Sequence, residues 1–533
     1  MKTLTRSARA ALLALGAALV TAFAAPARAD GDRVEALHVL VSNWQTVEAR
    51  RALEPMLAAD PAAVDLRFVQ GRLLFFEGRY AEALAVFDAL VADMGDAAPY
   101  SIRQVRDEVA ATHDALKGFD EFVSPDGRFR VRYTGRDKLL VPFALEVLQK
   151  TDAVLAEDFA WRPEGQVVVE IYPEIRYLAA VSPLTEDEIE TSGTIALCKY
   201  NRLMFTSPRA LVRGYGWRDT LAHEFVHYYL TKKSANTVPI WLHEGIAKFQ
   251  ESRWRTGPNA PLDPPEEDLL ARSIAADQLI TFDQMHPSMA KLPSQEAAGL
   301  AFAQVHTVID FLHRRSGYPA LNRLIDALRD GAPMDAALRS VYGLDLAGLW
   351  VAWKGAMGQS GLKTYPGLVQ RKLKFKRPGD PEAGEEEPEA EYSTIEEKAV
   401  RDHAHLGELL RARNRFKAAL YQYRKAMTLG GDANPVVQNG AAASLLELGE
   451  PDEVPALLER VRLYYPGFVT THIHRGEALM KAGRDAEAAA AFEEAVGINP
   501  FHPRPHEALF DLYTRLGRAE DADRAKQTLE LLK

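Results

Sequence analysis

The centre of the chain contains a stretch that reads Leu221-Ala222-His223-Glu224-Phe225-Val226-His227-Tyr228-Tyr229. Because His223 and His227 are four residues apart, a helix places their imidazoles on one face, where both can reach one ion. Glu224 lies about 100° round that helix from His223, near enough to contact a water on the ion. The apolar neighbours indicate a buried helix, in which unpaired polar side chains would be costly. The stretch predicts a metal site; the alternative is a helix whose histidines are solvated or hydrogen-bonded locally.

A second stretch supplies a carboxylate and reads Pro239-Ile240-Trp241-Leu242-His243-Glu244-Gly245-Ile246-Ala247. Proline is favoured at a helix start, and Glu244 follows His227 at a distance that allows a helical turn, a loop and a returning helix. We expect Gly245 and Ala247 to let the two helices pack closely. Two imidazoles, a carboxylate and a water form a tetrahedral zinc site with an open position. The chain has one cysteine, so a site built from several thiolates is excluded.

The two stretches together resemble a known family. The region from about Phe122 to Lys363 is similar to the peptidase MA-like domain of the gluzincins, zinc metallopeptidases in which His-Glu-x-x-His is followed by a Trp-Leu-x-Glu-Gly-x-Ala helix. The resemblance implies a zincin-like α+β domain, with Zn²⁺ on His223, His227 and Glu244. It also implies that Glu224 is the general base of peptide hydrolysis.

Two positions depart from the family pattern. Phe302 stands where a downstream helix of the family often carries a tyrosine that stabilises the tetrahedral intermediate. His306, one turn further, is our replacement candidate for this catalytic role, and an ordinary helix-face histidine is the alternative. Lys248 stands where an acidic residue would hold a histidine ligand by its second nitrogen. Glu251 is either the substitute for that acidic residue or, as we prefer, a surface carboxylate.

Three further residues of the two motifs have competing interpretations. His243 could replace Glu244 as a ligand, although neighbours on a helix point about 100° apart and the motif favours Glu244. Tyr228 and Tyr229 are further candidates for stabilising the intermediate, and we prefer packing as the role of both.

The middle region alternates strand and helix patterns and becomes mostly helical beyond Arg218. Residues 128–133 alternate as a half-exposed strand, and residues 167–172 form an apolar run typical of a buried one. Residues 141–159 predict a helix between them, and Ile195–Phe205 predicts a third strand. This is an α+β pattern. The gluzincin resemblance implies that Ile195–Phe205 is an edge strand that pairs with an extended peptide substrate.

Helical repeats flank this region on both sides. Gly449, Gly483 and Gly517 recur every 34 residues, the period of tetratricopeptide repeats. The clearest unit has small and aromatic residues where its two helices approach each other: Gly476, Gly483, Ala488, Phe492, Ala495 and Pro500. An N-terminal unit repeats that pattern at Gly71, Gly78, Tyr80, Ala83 and Phe87. All-α solenoid modules are thus predicted over residues 30–118 and 398–533, either to bind protein partners or to act as rigid spacers.

The first 29 residues have the pattern of a cleaved signal peptide. Basic residues precede an apolar run over residues 10–25, and Ala27-Arg28-Ala29 supplies the small residues of a cleavage site. The run is shorter than the roughly 20 residues that span a bilayer, so an uncleaved anchor is the less favoured alternative. We therefore expect an exported protein, periplasmic or secreted, with no stable membrane span in the mature chain.

Composition and charge exclude several other classes of protein. A chain of 533 residues that is 47% hydrophobic, with a single cysteine, is neither a disordered tail nor a disulfide scaffold. Loss of the signal peptide takes the net charge from −10 to −14, which argues against nucleic-acid binding. Residues 364–397 are predicted to be a charged linker, because the acidic, proline-bearing run 377–391 cannot bury enough apolar surface to fold. The basic stretch 371–377 before it is interpreted as a solvated tether.

Two functional hypotheses follow from this arrangement, in which residues 119–363 lie between the repeat modules. The first is an exported zinc-dependent peptidase whose repeats recruit substrate or partner proteins. The alternative is a catalytically weak or inactive peptidase-like scaffold in an envelope complex, which Phe302 and Lys248 favour. We prefer the enzyme, because a scaffold has no chemical reason to retain the general base together with three ligands.

Overall fold

The computed structural model describes residues 28–257, 260–376, 392 and 395–533, with side chains described from residue 31 onward. Apart from Arg28 and Ala29, the predicted signal peptide lies outside these residues, as does the acidic run 377–391. In this part of the chain, no helix combines the length and the apolar character needed to cross a bilayer.

The N-terminal module consists of five helices, α1 Arg28–Ser42, α2 Thr46–Ala59, α3 Val64–Phe76, α4 Tyr80–Met94 and α5 Tyr100–Ala115. Helices α3 and α4 form a closely packed pair, because Gly71 has no side chain where the Phe87 ring lies. A Cβ atom at Gly71 would be 2.7 Å from that ring. The predicted small–aromatic contact is therefore present in this unit.

The central domain begins with α/β elements that form one mixed sheet. They are β1 Asp120–Val123, β2 Phe129–Tyr133, α6 Val141–Asp158, β3 Val167–Tyr172, α7 Ile175–Val181, α8 Glu186–Ser192, β4 Ala196–Lys199 and β5 Arg202–Thr206. The strand order is β1-β2-β3-β5-β4, with β2, β3 and β5 parallel and the two outer strands antiparallel to their neighbours. Strand β3 is buried along its whole length, as its apolar run predicts.

The prediction of one continuous strand over Ile195–Phe205 is wrong. Tyr200 and Asn201 have φ angles of 55° and 62°, so the chain turns back through a tight hairpin and forms two strands. Of these two strands, β5 lies inside the sheet and β4 forms one of its edges. The sequence hides the turn because neither residue is glycine.

Six helices complete the central domain: α9 Trp217–Lys233, α10 Ile240–Gln250, α11 Pro264–Ala275, α12 Gln295–Arg329, α13 Met334–Tyr342 and α14 Leu346–Gln359. Helix α12 is broken at Gly317, whose φ of 65° and ψ of −176° are not helical. All residues of α9 from Leu221 to Lys232 are buried. This helix and α10 carry both metal-site motifs.

The C-terminal module contains eight helices, α15 Lys398–Arg411, α16 Phe416–Thr428, α17 Pro435–Leu448, α18 Val454–Tyr464, α19 Val469–Lys481, α20 Asp485–Ile498, α21 Pro503–Arg515 and α22 Ala519–Leu532. The small–aromatic contact recurs within its helix pairs. A Cβ atom at Gly407 would be 2.9 Å from the Tyr423 ring, and one at Gly476 would be 2.8 Å from the Phe492 ring.

Residues 364–376, which we call the strap, pack against the central domain rather than forming a solvated tether. Leu211 and Phe375 form an antiparallel bridge, and the Lys376 N–H donates to the Ala210 carbonyl at 2.8 Å. The Gln295 side chain accepts a hydrogen bond from the N–H of Leu373 at 2.7 Å. The first third of the predicted linker is therefore an ordered part of the fold.

Gly245 has a different partner from the one we predicted. A Cβ atom there would lie 2.8 Å from Ile309 and 3.0 Å from the carbonyl oxygen of Val305, both on α12. The glycine therefore lets α10 approach α12, and not the histidine-bearing α9. Because Val305 contributes a backbone atom, a side chain at position 245 would have to push the two helices apart.

We expect Gly245→Ala to destabilise the central domain by about 1–3 kcal/mol through overpacking. Gly299→Ala, also within a helix, is the matched control: its Cβ would meet nothing closer than 3.7 Å. The control should gain about 0.5–1 kcal/mol, because alanine loses less backbone entropy than glycine on folding. Denaturant titration of both variants measures the difference, and equal stabilities would contradict the close α10–α12 contact.

Candidate metal centre

Helix α9 brings His223, Glu224 and His227 to one side of a buried helix. Their exposed fractions are only 8%, 5% and 8%. One donor atom from each of the three lies within 4.8 Å of the others. The four-residue spacing thus places both imidazoles on one face, as predicted.

Helix α10 brings the Glu244 carboxylate to both imidazoles. Its Oε2 atom lies 3.4 Å from Nε2 of His223 and 3.2 Å from Nε2 of His227. Two donor atoms at about 2.0–2.1 Å from a tetrahedral zinc ion are about 3.3 Å apart. Both distances from the Glu244 oxygen therefore match the separation of two zinc ligands.

Glu224 lies beside the edge strand instead of between the histidines. The backbone N–H of Cys198 in β4 lies near its carboxylate and lowers the pKa of Glu224, against the larger effect of burial. Lys199 and Arg202 close the hairpin turn as a hydrogen-bonded pair, so the backbone groups of Cys198 point away from β5. The Oε2 atom of Glu224 is buried with no hydrogen-bond partner among the described residues. The Oε2 atom of this carboxylate is thus left for a further donor.

The second ring nitrogen of each histidine also has a partner. Nδ1 of His223 lies 3.2 Å from Oε2 of Glu251, and Nδ1 of His227 lies 2.5 Å from Nδ1 of His243. Glu251 is therefore not the surface carboxylate that we preferred. His243 does not take the place of Glu244, since its ring meets the Nδ1 side of His227, with 4.6 Å between ring centres and 27° between ring planes.

Charge and burial set the protonation of this cluster. Burial lowers the pKa of His223, but its hydrogen bonds to Glu244 and Glu251 outweigh burial and raise the pKa well above its ordinary value. Burial raises the pKa of Glu224, against the charges of His227 and His223. Burial, together with the charge of His227, lowers the pKa of His243 to about 3, so this imidazole is neutral at pH 7.

The two positions singled out on α12 differ in their relation to the cluster. The Phe302 ring packs edge-on against His223, with 5.9 Å between ring centres. His306 instead packs against Phe249, and its Nε2 lies 3.2 Å from the Ala260 carbonyl oxygen. None of the described contacts of His306 involves the residues that would hold or activate a metal. The predicted catalytic role of His306 thus gains no contact that would support it.

The two tyrosines that follow the motif pack into the core. Tyr229 donates a hydrogen bond to the Asp152 carboxylate at 2.5 Å and lies against Phe225. The Tyr228 ring also contacts Phe225, and its hydroxyl has no hydrogen-bond partner among the described residues. Both lie on the faces of α9 that serve packing.

Comparison with protein families identifies two kinds of domain in the chain. Residues 149–359 match the family described as Peptidase MA superfamily, and residues 45–102 and 439–503 match the family described as Tetratricopeptide repeat. The chain therefore contains a Peptidase MA superfamily domain flanked by tetratricopeptide repeats.

Similarity to individual proteins covers a small part of the chain or is weak. A curated Arabidopsis thaliana protein, "Inactive TPR repeat-containing thioredoxin TTL3", is 35% identical over 91 residues, which are 17% of this chain and 13% of that protein. This chain thus matches only a small part of that relative. A solved structure, "MamA MSR-1 C2", is 22% identical, covers 27% of this chain and 84% of its own, and has a TM-score of 0.23. A second solved structure, "Crystal structure of APC/C hetero-tetramer Cut9-Hcn1", is 12% identical. It covers 95% of this chain and 79% of its own, with a TM-score of 0.25.

We expect zinc affinity to fall as the pH falls. The pKa of His223 is raised in the metal-free protein, so this imidazole carries a proton that zinc must displace. In the pH range where binding of one zinc ion releases one proton, the apparent zinc affinity should drop roughly tenfold for each unit by which the pH is lowered. Chelator competition at several pH values measures this dependence. Calorimetry in buffers of different ionisation enthalpy counts the protons, and an affinity that does not change with pH would contradict the protonated state.

Proposed function

We propose that this protein is an exported, zinc-dependent peptidase that hydrolyses peptide bonds. One observation carries the proposal: two imidazole nitrogens and a carboxylate oxygen converge at 3.2–3.4 Å, beside a buried carboxylate with an unpartnered oxygen. This donor set, two histidines and a glutamate, is a known ligand set of catalytic zinc. The Peptidase MA superfamily domain supports the same assignment.

In this proposal His223, His227 and Glu244 hold the zinc ion. When bound, zinc supplies a Lewis acid that polarises the scissile carbonyl and activates water at neutral pH. The neutral forms of the two imidazoles and the ionised form of Glu244 are the ligand states that the ion needs. The pKa of Glu244 favours the ionised form: burial would raise it, but the charge of His227 and the hydrogen bonds from both histidines lower it.

Glu224 acts as the general base and then as the general acid. It takes a proton from the attacking water and later delivers that proton to the leaving amine. The Cys198 N–H lies near this carboxylate, and the buried Oε2 atom is left to accept the proton. Since burial raises its pKa, Glu224 holds a transferred proton better than an exposed glutamate would.

Strand β4 is the proposed binding edge for an extended substrate. By the hairpin register, the backbone groups of Ala196 and Cys198 point outward from the sheet. A peptide that pairs with this edge gains main-chain hydrogen bonds next to Glu224. The flanking repeats are proposed to recruit the protein that carries this peptide, since stacked helix pairs present concave binding surfaces. A periplasmic or secreted location rests on the N-terminal sequence pattern alone.

A scaffold with little or no activity is the second candidate, and Phe302 favours it. The phenyl ring against His223 offers no hydrogen bond to a developing oxyanion. The two candidates differ in one measurable property, namely whether Glu224 contributes to a reaction.

We expect wild-type protein to bind one zinc ion and to cleave members of a peptide library. Glu224→Gln should keep zinc but lose about 10²–10⁴-fold in kcat/KM, the usual contribution of a general acid–base group. Glu244→Gln and His223→Ala should lose zinc. Glu296→Gln, at an exposed position in the first turn of α12, is the control for the charge change and should behave as wild type.

Metal analysis and cleavage assays separate the outcomes. A purified protein without zinc affinity would refute the metal centre. Zinc binding with cleavage that does not depend on Glu224, or with no cleavage, would refute the peptidase and leave the scaffold.

A further inference from the structure

At each histidine of the proposed zinc site, the Nδ1 atom contacts a side chain that is not itself a ligand. His223 meets Glu251, at 3.2 Å between Nδ1 and Oε2. His227 meets His243, at 2.5 Å between the two Nδ1 atoms. Both contacts leave the Nε2 atoms, which face Glu244, free for the metal.

We propose that Glu251 and His243 are positioning residues that keep the protons of His223 and His227 on Nδ1. A histidine can bind a metal through Nε2 only when that atom carries no proton, and an acceptor at Nδ1 selects this tautomer. The inference rests on the proposed zinc site, since it concerns how that site is oriented.

Glu251 is held for this task from its other side. Its Oε1 atom accepts a hydrogen bond from Nζ of Lys248 at 2.6 Å, and the same ammonium lies 2.8 Å from Glu266. The two oxygens of the Glu251 carboxylate are thus divided between a cation and an imidazole.

Lys248 does not oppose metal binding, because its charge is compensated twice. Glu251 and Glu266 both contact it, and its side chain is only 17% exposed. The hydrogen bond from Lys248 therefore orients the Glu251 carboxylate towards His223. A cation one turn after the Glu244 ligand would otherwise repel the ion.

Proton accounting assigns the direction of the His227–His243 contact. Two Nδ1 atoms 2.5 Å apart share one proton, so one atom donates and the other accepts. If His243 donated, the proton of neutral His227 would sit on Nε2 and block the metal. His227 must therefore donate to His243 in the zinc-bound protein. Nε2 of His243 then carries its own proton and donates it to the hydroxyl of Thr231, at 3.2 Å.

Thr231 completes this arrangement from the same helix as the ligand. It follows His227 by one turn of α9 and is 3% exposed. The hydrogen bonds from His227 to His243 and from His243 to Thr231 therefore start and end on α9 and pass through α10. They also connect the two helices that carry the ligands.

The test compares zinc affinities of the full-length protein by chelator competition. We expect Glu251→Ala and His243→Ala each to weaken zinc binding about 10- to 100-fold, the usual effect of losing such a partner. Glu251→Gln and His243→Asn, which keep an acceptor, should recover part of the loss. Glu266→Gln is the matched control, because it contacts Lys248 but not His223, and it should change the affinity far less than Glu251→Ala.

A tautomer measurement distinguishes positioning from a general structural role. In zinc-loaded, histidine-¹⁵N-labelled protein, NMR should show both ligand histidines protonated at Nδ1. Glu251→Ala should speed solvent exchange of the His223 proton alone, and His243→Ala that of the His227 proton alone. Circular dichroism checks that each variant is folded.

The outcomes for the inference and for the proposed function are distinct. Wild type that binds zinc, together with Ala variants of unchanged affinity and unchanged ring signals, would overturn the inference and leave the zinc site standing. Wild type that binds no zinc would overturn the proposed function and the inference together. Equal losses in Glu266→Gln and Glu251→Ala would also contradict the specific role of Glu251.

Discussion

The central domain depends on enclosing three polar side chains among apolar helices without leaving them unpaired. His223 and His227, which are buried, and Glu244, which is partly buried, would each be costly in such surroundings if alone, because an enclosed polar or charged group needs a partner. They satisfy one another through the single oxygen Oε2 of Glu244. This contact requires α9 and α10 to lie side by side in one register. The absence of a side chain at Gly245 then lets α10 lie directly on α12.

The same demand for paired charges fixes the N-terminal repeats to the sheet. Glu170 on β3 and Arg202 on β5 are 0% and 1% exposed and lie 3.4 Å apart. The hydroxyl of Tyr80, at the start of α4, donates to Glu170 at 2.5 Å and accepts from Arg202. Removing one partner from such a network leaves an uncompensated buried charge, so the module is held in one orientation. Asn201 adds a second tie, because its side chain donates to the Phe76 carbonyl at 2.9 Å.

These ties bear on the proposed substrate edge. Asn201 lies in the turn between β4 and β5, and the backbone N–H of Cys198 on β4 lies near the Glu224 carboxylate. The hairpin thus contacts the repeat module at its turn and the proposed general base at its outer edge. A peptide paired with this edge would therefore lie next to Glu224.

The sequence predicts the parts of this site that depend on local spacing. The His223–His227 pair and the Glu244 helix follow from helical periodicity and short motifs, and so do the small–aromatic pairs of the repeats. The sequence does not predict contacts between residues that come together only when separate helices and strands pack against each other. A glutamate such as Glu251 is usually found at the surface. Its contact with His223 depends on how α10 packs against α9, which the sequence does not show. The β4–β5 hairpin and the strap are missed for a similar reason, since a non-glycine turn and a charged extended segment lack strong local signals.

Helix α12 connects the strap to the metal centre. Gln295 begins this helix and bonds to Leu373 of the strap in both directions, at 2.7 and 3.2 Å. Phe302 lies two turns further on, about 10 Å along the axis, and covers His223. The strap that leads to the C-terminal repeats therefore contacts the same helix that carries the phenyl ring beside His223. The repeats at both ends of the chain are therefore attached to elements that border the site: the β4–β5 hairpin on one side and α12 on the other.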